Sequence, residues 1–113
     1  MPTKSLSERK CVPCTARTKP LSKERAAALL ARVPGWRLVR GTLRRTVRFD
    51  DFLSLIEFVN EMADLAEEQA HHPDFRVRWT RLDLEISTHA VKGLTDNDFI
   101  LAAKIDALLG ERV

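Results

Sequence analysis

Residues 75–86 read Phe-Arg-Val-Arg-Trp-Thr-Arg-Leu-Asp-Leu-Glu-Ile, and their alternation decides the fold. Phe75, Val77 and Trp79 share one side of the chain with Arg76 and Arg78 on the other; Leu82, Leu84 and Ile86 then face away from Asp83 and Glu85. A period of two marks strands with one buried and one wet face. A two-residue turn at Thr80-Arg81 would set Trp79 opposite Leu82, Val77 opposite Leu84 and Phe75 opposite Ile86. On the other face Arg78 would meet Asp83 and Arg76 would meet Glu85, both opposite-charge pairs. Apolar and charged pairs agree on this register. Thr-Arg is a poor two-residue turn, but a four-residue loop keeps the same pairing. Extended backwards, it carries His72 across from His89.

Upstream of this hairpin, Phe52, Leu55, Ile56, Val59, Met62, Ala63 and Ala66 recur at three- and four-residue spacings, which predicts a long helix with one buried face. Asp50 or Asp51 caps it, Glu57, Glu61, Asp64 and Glu68 give it an acidic wet side, and it ends near Ala70 because His72 precedes Pro73. A shorter helix starts after Ser22, runs to about Val33 and stops at Pro34-Gly35. Trp36 to Arg40 and Leu43 to Phe49 read as strands around Gly41. Thr95 opens a last helix with Asp98 as its capping-box partner, and Gly110 closes it. The order α-β-β-α-β-β-α implies an α+β domain, a four-stranded antiparallel sheet with three helices on one face. Residues 1–20, polar and containing Pro2, Pro13 and Pro20, read as a flexible N-terminal arm; residues 21–113 form the single domain.

In the 113-residue chain no apolar run reaches the ~18–20 residues that span a bilayer, and no basic-then-apolar leader opens it, so the expected location is cytoplasmic. Residues 1–49 hold thirteen Lys/Arg against two acids, while residues 50–113 hold six against fourteen. A basic segment can bind nucleic acid. Here the cations are scattered through a helix and strands with few aromatic platforms, so mutual neutralisation of the two halves is the better reading. Cys11-Val-Pro-Cys14 has the spacing of half a zinc site or of a redox pair. No second cysteine pair completes a metal site, and no apolar strand leads into Cys11, so the pair reads as a feature of the loose arm.

The chemistry gathers between Glu67 and Asp98. All three histidines, His71, His72 and His89, fall at one end of the sheet, with Glu67 one turn before His71 and Asp98 in the first turn of the last helix. Imidazoles with carboxylates suit proton transfer near neutral pH. Three other readings compete: a polar His-His ending of a helix, Asp98 as a capping residue only, and a three-histidine zinc site with an open position. Adjacent residues on an extended chain point to opposite sides, which weighs against the metal.

The spaced set Glu67-x-x-x-His71-His72-Pro73, Trp79, Ser87-Thr88-His89, Gly93-Leu94-Thr95 and Asp98 resembles the signature of the pterin-4a-carbinolamine dehydratases, with five, nine and eight residues in the successive gaps from Pro73 to Asp98. A weaker similarity runs from Leu21-Ser22 through Pro34-Gly35-Trp36 to the C-terminus. The resemblance implies a 4a-hydroxytetrahydrobiopterin dehydratase of the tetrahydrobiopterin-recycling kind, needing neither metal nor organic cofactor. It implies His71 and His89 as the acid/base pair and His72 as a group that binds and polarises the pterin. Glu67 and Asp98 would orient imidazoles or hold the pterin edge, and Pro73, Phe75, Ser87 and Thr88 would line its pocket. Phe75 stands where the family often has tryptophan. The resemblance further implies a homo-oligomer, a dimer or a tetramer built from dimers, and a functional link to a pterin-dependent aromatic amino-acid hydroxylase. A different class, a non-catalytic pterin-binding or protein-dimerisation coactivator module, is the alternative, since relatives act as partners of a homeodomain transcription factor. A pocket for molybdopterin-type ligands is a third reading.

Overall fold

A computed structural model describes residues 5–14 and 17–110; expectations for residues 1–4, 15–16 and 111–113 fall outside it. Among the described residues the elements are α1 (Lys23–Leu30), β1 (Arg37–Val39), β2 (Thr42–Arg48), α2 (Phe52–Gln69), β3 (Asp74–Arg78), β4 (Arg81–Ile86) and α3 (Asp96–Leu109). Two short 3-10 turns, Leu6–Glu8 and His89–Val91, join them. The order is the expected α-β-β-α-β-β-α, and the strands form one antiparallel sheet in the spatial order β1-β2-β4-β3.

Local chemistry sets the boundaries. The Ser22 side chain accepts the Arg25 N–H and starts α1. The β1–β2 turn puts Arg40 and Gly41 at φ 48° and 74°, a pair of left-handed residues that matches the twist of a tight hairpin. Asp51 accepts the Ser54 N–H at 2.8 Å to open α2, and that bond holds its carboxyl below the ordinary aspartate value. Thr95 and Asp98 close a full capping box at the start of α3.

One face of the sheet, carrying Leu43, Val47, Leu82, Leu84 and Ile86, packs on the helices. Leu29 of α1, Leu55, Phe58 and Met62 of α2, and Phe99, Ile100 and Ile105 of α3 complete the core. The buried line of α2 is Leu55, Phe58, Met62, Ala66 and Gln69. This corrects the sequence pattern, because Phe52 and Ala63 are exposed and Ile56 and Val59 are only half-buried. Ile56 and Val59 pack against the rim of this core, while Phe52 and Ala63 keep the apolar spacing yet face solvent.

The β3–β4 register differs by two residues from the expected one. Val77 pairs with Leu82, Phe75 with Leu84, Arg76 with Asp83, Asp74 with Glu85 and Arg78 with Arg81. The turn is Trp79-Thr80, with Trp79 at φ 55°, and the Phe49 N–H donates to the Thr80 carbonyl at 2.8 Å. A slip of two leaves every side chain on its own face, so alternation cannot separate the two registers. A turn of the same length set one residue earlier, held by the Phe49 N–H, decides, at the cost of a like-charged Arg78–Arg81 pair. Trp79 is thereby left 79% exposed, and His72 does not pair with His89.

The two halves of opposite charge meet inside the chain: Arg9 and Arg25 pair with Asp96, Arg44 with Glu85, and Arg45 with Asp106. The last pair is the most buried of these. Arg45 lies on the core side of β2 and donates to Asp106 Oδ1 at 2.6 Å, and the Trp36 Nε1–H donates to the same oxygen at 2.8 Å. Burial still pushes the Asp106 carboxyl above its ordinary value, against the lowering by Trp36 and Arg45. A raised carboxyl favours the folded chain at low pH, and that contribution is lost as pH climbs through the folded value. Arg45→Met removes the cation and raises the carboxyl further. Urea titration should therefore show a loss of about 1–3 kcal/mol at neutral pH. The loss should shrink as the pH is lowered and the raised carboxyl takes up its proton; a pH-independent deficit would contradict this pairing.

Candidate active site

Three chain segments that end at one edge of the sheet build the site. The first is the end of α2. Ala70 takes the left-handed conformation (φ 53°, ψ 36°), its N–H bonds the Glu67 carbonyl, and the His71 N–H bonds the Ala66 carbonyl at 3.2 Å. This is a Schellman ending built on alanine in place of glycine. A Cβ in that conformation costs roughly 1 kcal/mol, and the turn it produces sends His71 inward and His72 outward.

The second segment follows β4. Thr88 and Gly93 bridge as an antiparallel pair, the Thr88 N–H donating to the Gly93 carbonyl at 2.9 Å, with Lys92 left-handed at φ 51°. The small loop so closed presents His89, whose exposed ring makes no hydrogen bond among the described residues. The third segment is the first turn of α3, which brings in Asn97 and Asp98.

Asp98 joins all three. Its side chain is 0% exposed. Oδ1 accepts the His71 Nε2–H at 2.7 Å, while Oδ2 accepts the Thr88 hydroxyl and the Thr95 N–H, each at 2.8 Å. The Thr88 and Thr95 hydroxyls lie 2.9 Å apart and complete the network. A carboxylate at Oδ1 fixes the proton of neutral His71 on Nε2 and leaves Nδ1 as the nitrogen free to exchange a proton. With its ring only 11% exposed, His71 is an oriented imidazole at the cavity wall. His72 turns the other way, and its Nε2 bonds Glu67 Oε2 at an exposed pair.

His71, His72 and His89 line one cavity of about 600 Å³, together with Ser87 and Thr88. Convergence of the three histidines on one end of the sheet is thus observed, although it is achieved by loops and not by pairing across the hairpin. Glu67 and Asp98 reach the cavity through the rings they hold. Pro73 and Phe75 are outside its lining, and Phe75 is a half-exposed residue of edge strand β3. The sequence pattern missed Gln69, Asn97 and residues Cys11 to Cys14, which form the remaining wall. Gln69 and Asn97 are polar residues on otherwise apolar helix faces, and that mismatch was the available signal. Among the described residues no three His, Cys, Asp or Glu side chains are grouped to hold a metal ion.

The geometry agrees with comparisons to known proteins. The family model described as pterin 4 alpha carbinolamine dehydratase matches residues 19–108. A Rubrobacter xylanophilus relative carrying that family's name is 44% identical over 91% of this chain and 97% of its own length. The Arabidopsis thaliana protein named pterin-4-alpha-carbinolamine dehydratase 2, mitochondrial, is 44% identical over 91% of this chain and 58% of its own. Among solved structures, the Brucella melitensis transcriptional coactivator/pterin dehydratase superposes with a TM-score of 0.77 at 29% identity, over 80% of this chain and 98% of its own.

Proposed function

This chain belongs to the pterin-4a-carbinolamine dehydratase family of hydro-lyases, and from that premise we propose that it dehydrates 4a-hydroxytetrahydrobiopterin by histidine acid/base catalysis. The observation that carries the reading is the His71–Asp98–Thr88 network at the wall of a cavity shared with His72 and His89.

Dehydration breaks the C4a–O bond of the carbinolamine while a ring nitrogen gives up its proton, and the nitrogen's electrons form the C=N bond of the quinonoid dihydropterin. One group must protonate the departing hydroxyl and another must accept the ring proton. His71 and His89 take these two parts. Asp98 holds His71 in a single tautomer, so that the same nitrogen always faces the reaction, and Thr88 acts through Asp98. His72, tied to Glu67 at the cavity mouth, binds and polarises the pterin, with Ser87 beside it. Pro73, just before β3, and Phe75 on it extend the pterin surface beyond the cavity. The product would feed tetrahydrobiopterin recycling beside an aromatic amino-acid hydroxylase.

His71→Ala and His89→Ala should each lower kcat by roughly 10²–10⁴ in a coupled hydroxylase assay, the usual cost of losing a general acid or base. A wild-type chain no faster than uncatalysed decay would overturn the reading. Pterin binding without turnover, together with capture of a stable foreign protein, would favour the coactivator-type alternative.

The chain also acts, in this proposal, as a homo-oligomer. Exposed Phe52 and Leu53 at the start of α2 fit a partner copy. No described helix is long and apolar enough to cross a membrane. Sedimentation at two salt concentrations should give a mass that is a multiple of 12.9 kDa and insensitive to salt, as an apolar contact requires. A 12.9 kDa species at both concentrations would refute the assembly.

A further inference from the structure

The dehydration chemistry makes no use of Cys11 and Cys14, yet both stand in the wall of its cavity. Residues 10–14 run without a turn or a bend across the start of α3. Asn97 grips them there. The Val12 N–H donates to Asn97 Oδ1 at 2.9 Å, and Asn97 Nδ2 donates back to the Val12 carbonyl at 2.6 Å. The same Nδ2 donates to Cys14 Sγ at 3.1 Å, and the Cys11 thiol donates to the Asn97 carbonyl at 3.6 Å. Gln69 Oε1 accepts the Cys11 N–H at 2.9 Å. Asn97 is 2% exposed and is followed directly by Asp98, so the residue that docks the arm adjoins the one that holds His71.

We propose that Cys11 and Cys14 are an oxidative modification site, whose dithiol form keeps residues 11–14 docked as a cavity wall and whose disulfide form releases them.

A disulfide requires its two Cα atoms within about 7 Å. Three residue steps of extended chain span about 9–10 Å. Residues 11–14 must therefore curl to bring the sulfurs together, and curling removes Val12 from its two bonds to Asn97. Docking and oxidation exclude one another. The wall that moves carries Val12 and Pro13, so the cavity that His71 and His89 share loses a side. The sequence alone assigned this pair to a loose arm; its grip on buried Asn97 and Gln69 gives it a place in the site.

The exchange needs a disulfide oxidant such as oxidised glutathione. Burial pushes the Cys11 thiol up to about 11, which leaves it a poor nucleophile while docked. Cys14 therefore attacks first, forming a mixed disulfide and expelling one glutathione thiolate. Cys11, freed and deprotonated, then displaces the second. Two protons and two electrons leave the cysteines, and the glutathione disulfide becomes two thiols.

The effect on turnover rests on the dehydratase reading; the release of the arm does not. The full chain would be treated with oxidised glutathione, then with dithiothreitol, and followed by intact mass, trypsin cleavage after Lys10 and dehydratase turnover. The proposal expects the loss of two hydrogens, several-fold faster cleavage and several-fold lower turnover, all reversed by the dithiol. Cys14→Ser should show none of these responses relative to its own untreated state. Asn97→Ala should be cleaved as fast as the oxidised chain without any oxidant. An internal disulfide that leaves cleavage unchanged, or mixed disulfides only, would overturn the proposal. A reduced chain without turnover would refute the dehydratase reading, while mass and cleavage would still decide the release.

Discussion

A carboxylate with no solvent contact must find all its hydrogen bonds inside the protein, and Asp98 does so by joining three parts of the chain. The His71 ring comes from the end of α2, the Thr88 hydroxyl from the loop after β4, and the Thr95 N–H from its own helix start. Taking a charge out of water costs several kcal/mol unless it is paired and bonded, so each partner is under constraint. Among the described residues no buried side-chain nitrogen or oxygen lacks a partner. A fully satisfied polar network of this kind favours one arrangement over near alternatives. The same carboxylate caps α3 through Oδ2 and orients the His71 ring through Oδ1.

Around that junction the remaining pieces follow by geometry. The left-handed Ala70 ends α2 abruptly and splits the histidine pair, one ring going inward to Asp98 and the other outward to Glu67. The Thr88–Gly93 bridge lifts His89 to the facing side of the cavity. The sheet supplies rigidity at this end, since β4 lies between β2 and β3 and carries the buried Leu82, Leu84 and Ile86. Arg45, Trp36 and Asp106 repeat the same logic elsewhere, a half-buried carboxylate holding a strand to α3.

What the sequence made legible was local or periodic. The caps at Ser22, Asp51 and Thr95 depend on residues three apart, and the alternation of Leu82, Leu84 and Ile86 names the buried face directly. The hairpin register was not legible, because a two-residue slip preserves both faces and the choice falls to a turn fixed by Phe49. The buried face of α2 was read too broadly, since Phe52 and Ala63 keep the apolar spacing yet stay exposed, and pattern alone does not say how far the core reaches round the helix. The histidines and Asp98 were visible through their spacing. The docking of the arm was legible only as a mismatch, because it runs through Gln69 and Asn97, polar residues on otherwise apolar helix faces.

In the proposed mechanism the imidazole of His71 moves a proton while Asp98 holds it. Chemical rescue tests this most directly: turnover of a 4a-carbinolamine tetrahydropterin by His71→Ala, measured with increasing free imidazole. The account predicts turnover that rises with imidazole toward the wild-type value, because the small base fills the vacated place beside Asp98. Turnover equal to wild type without imidazole, or a folded variant whose low rate no concentration of imidazole raises, would contradict it.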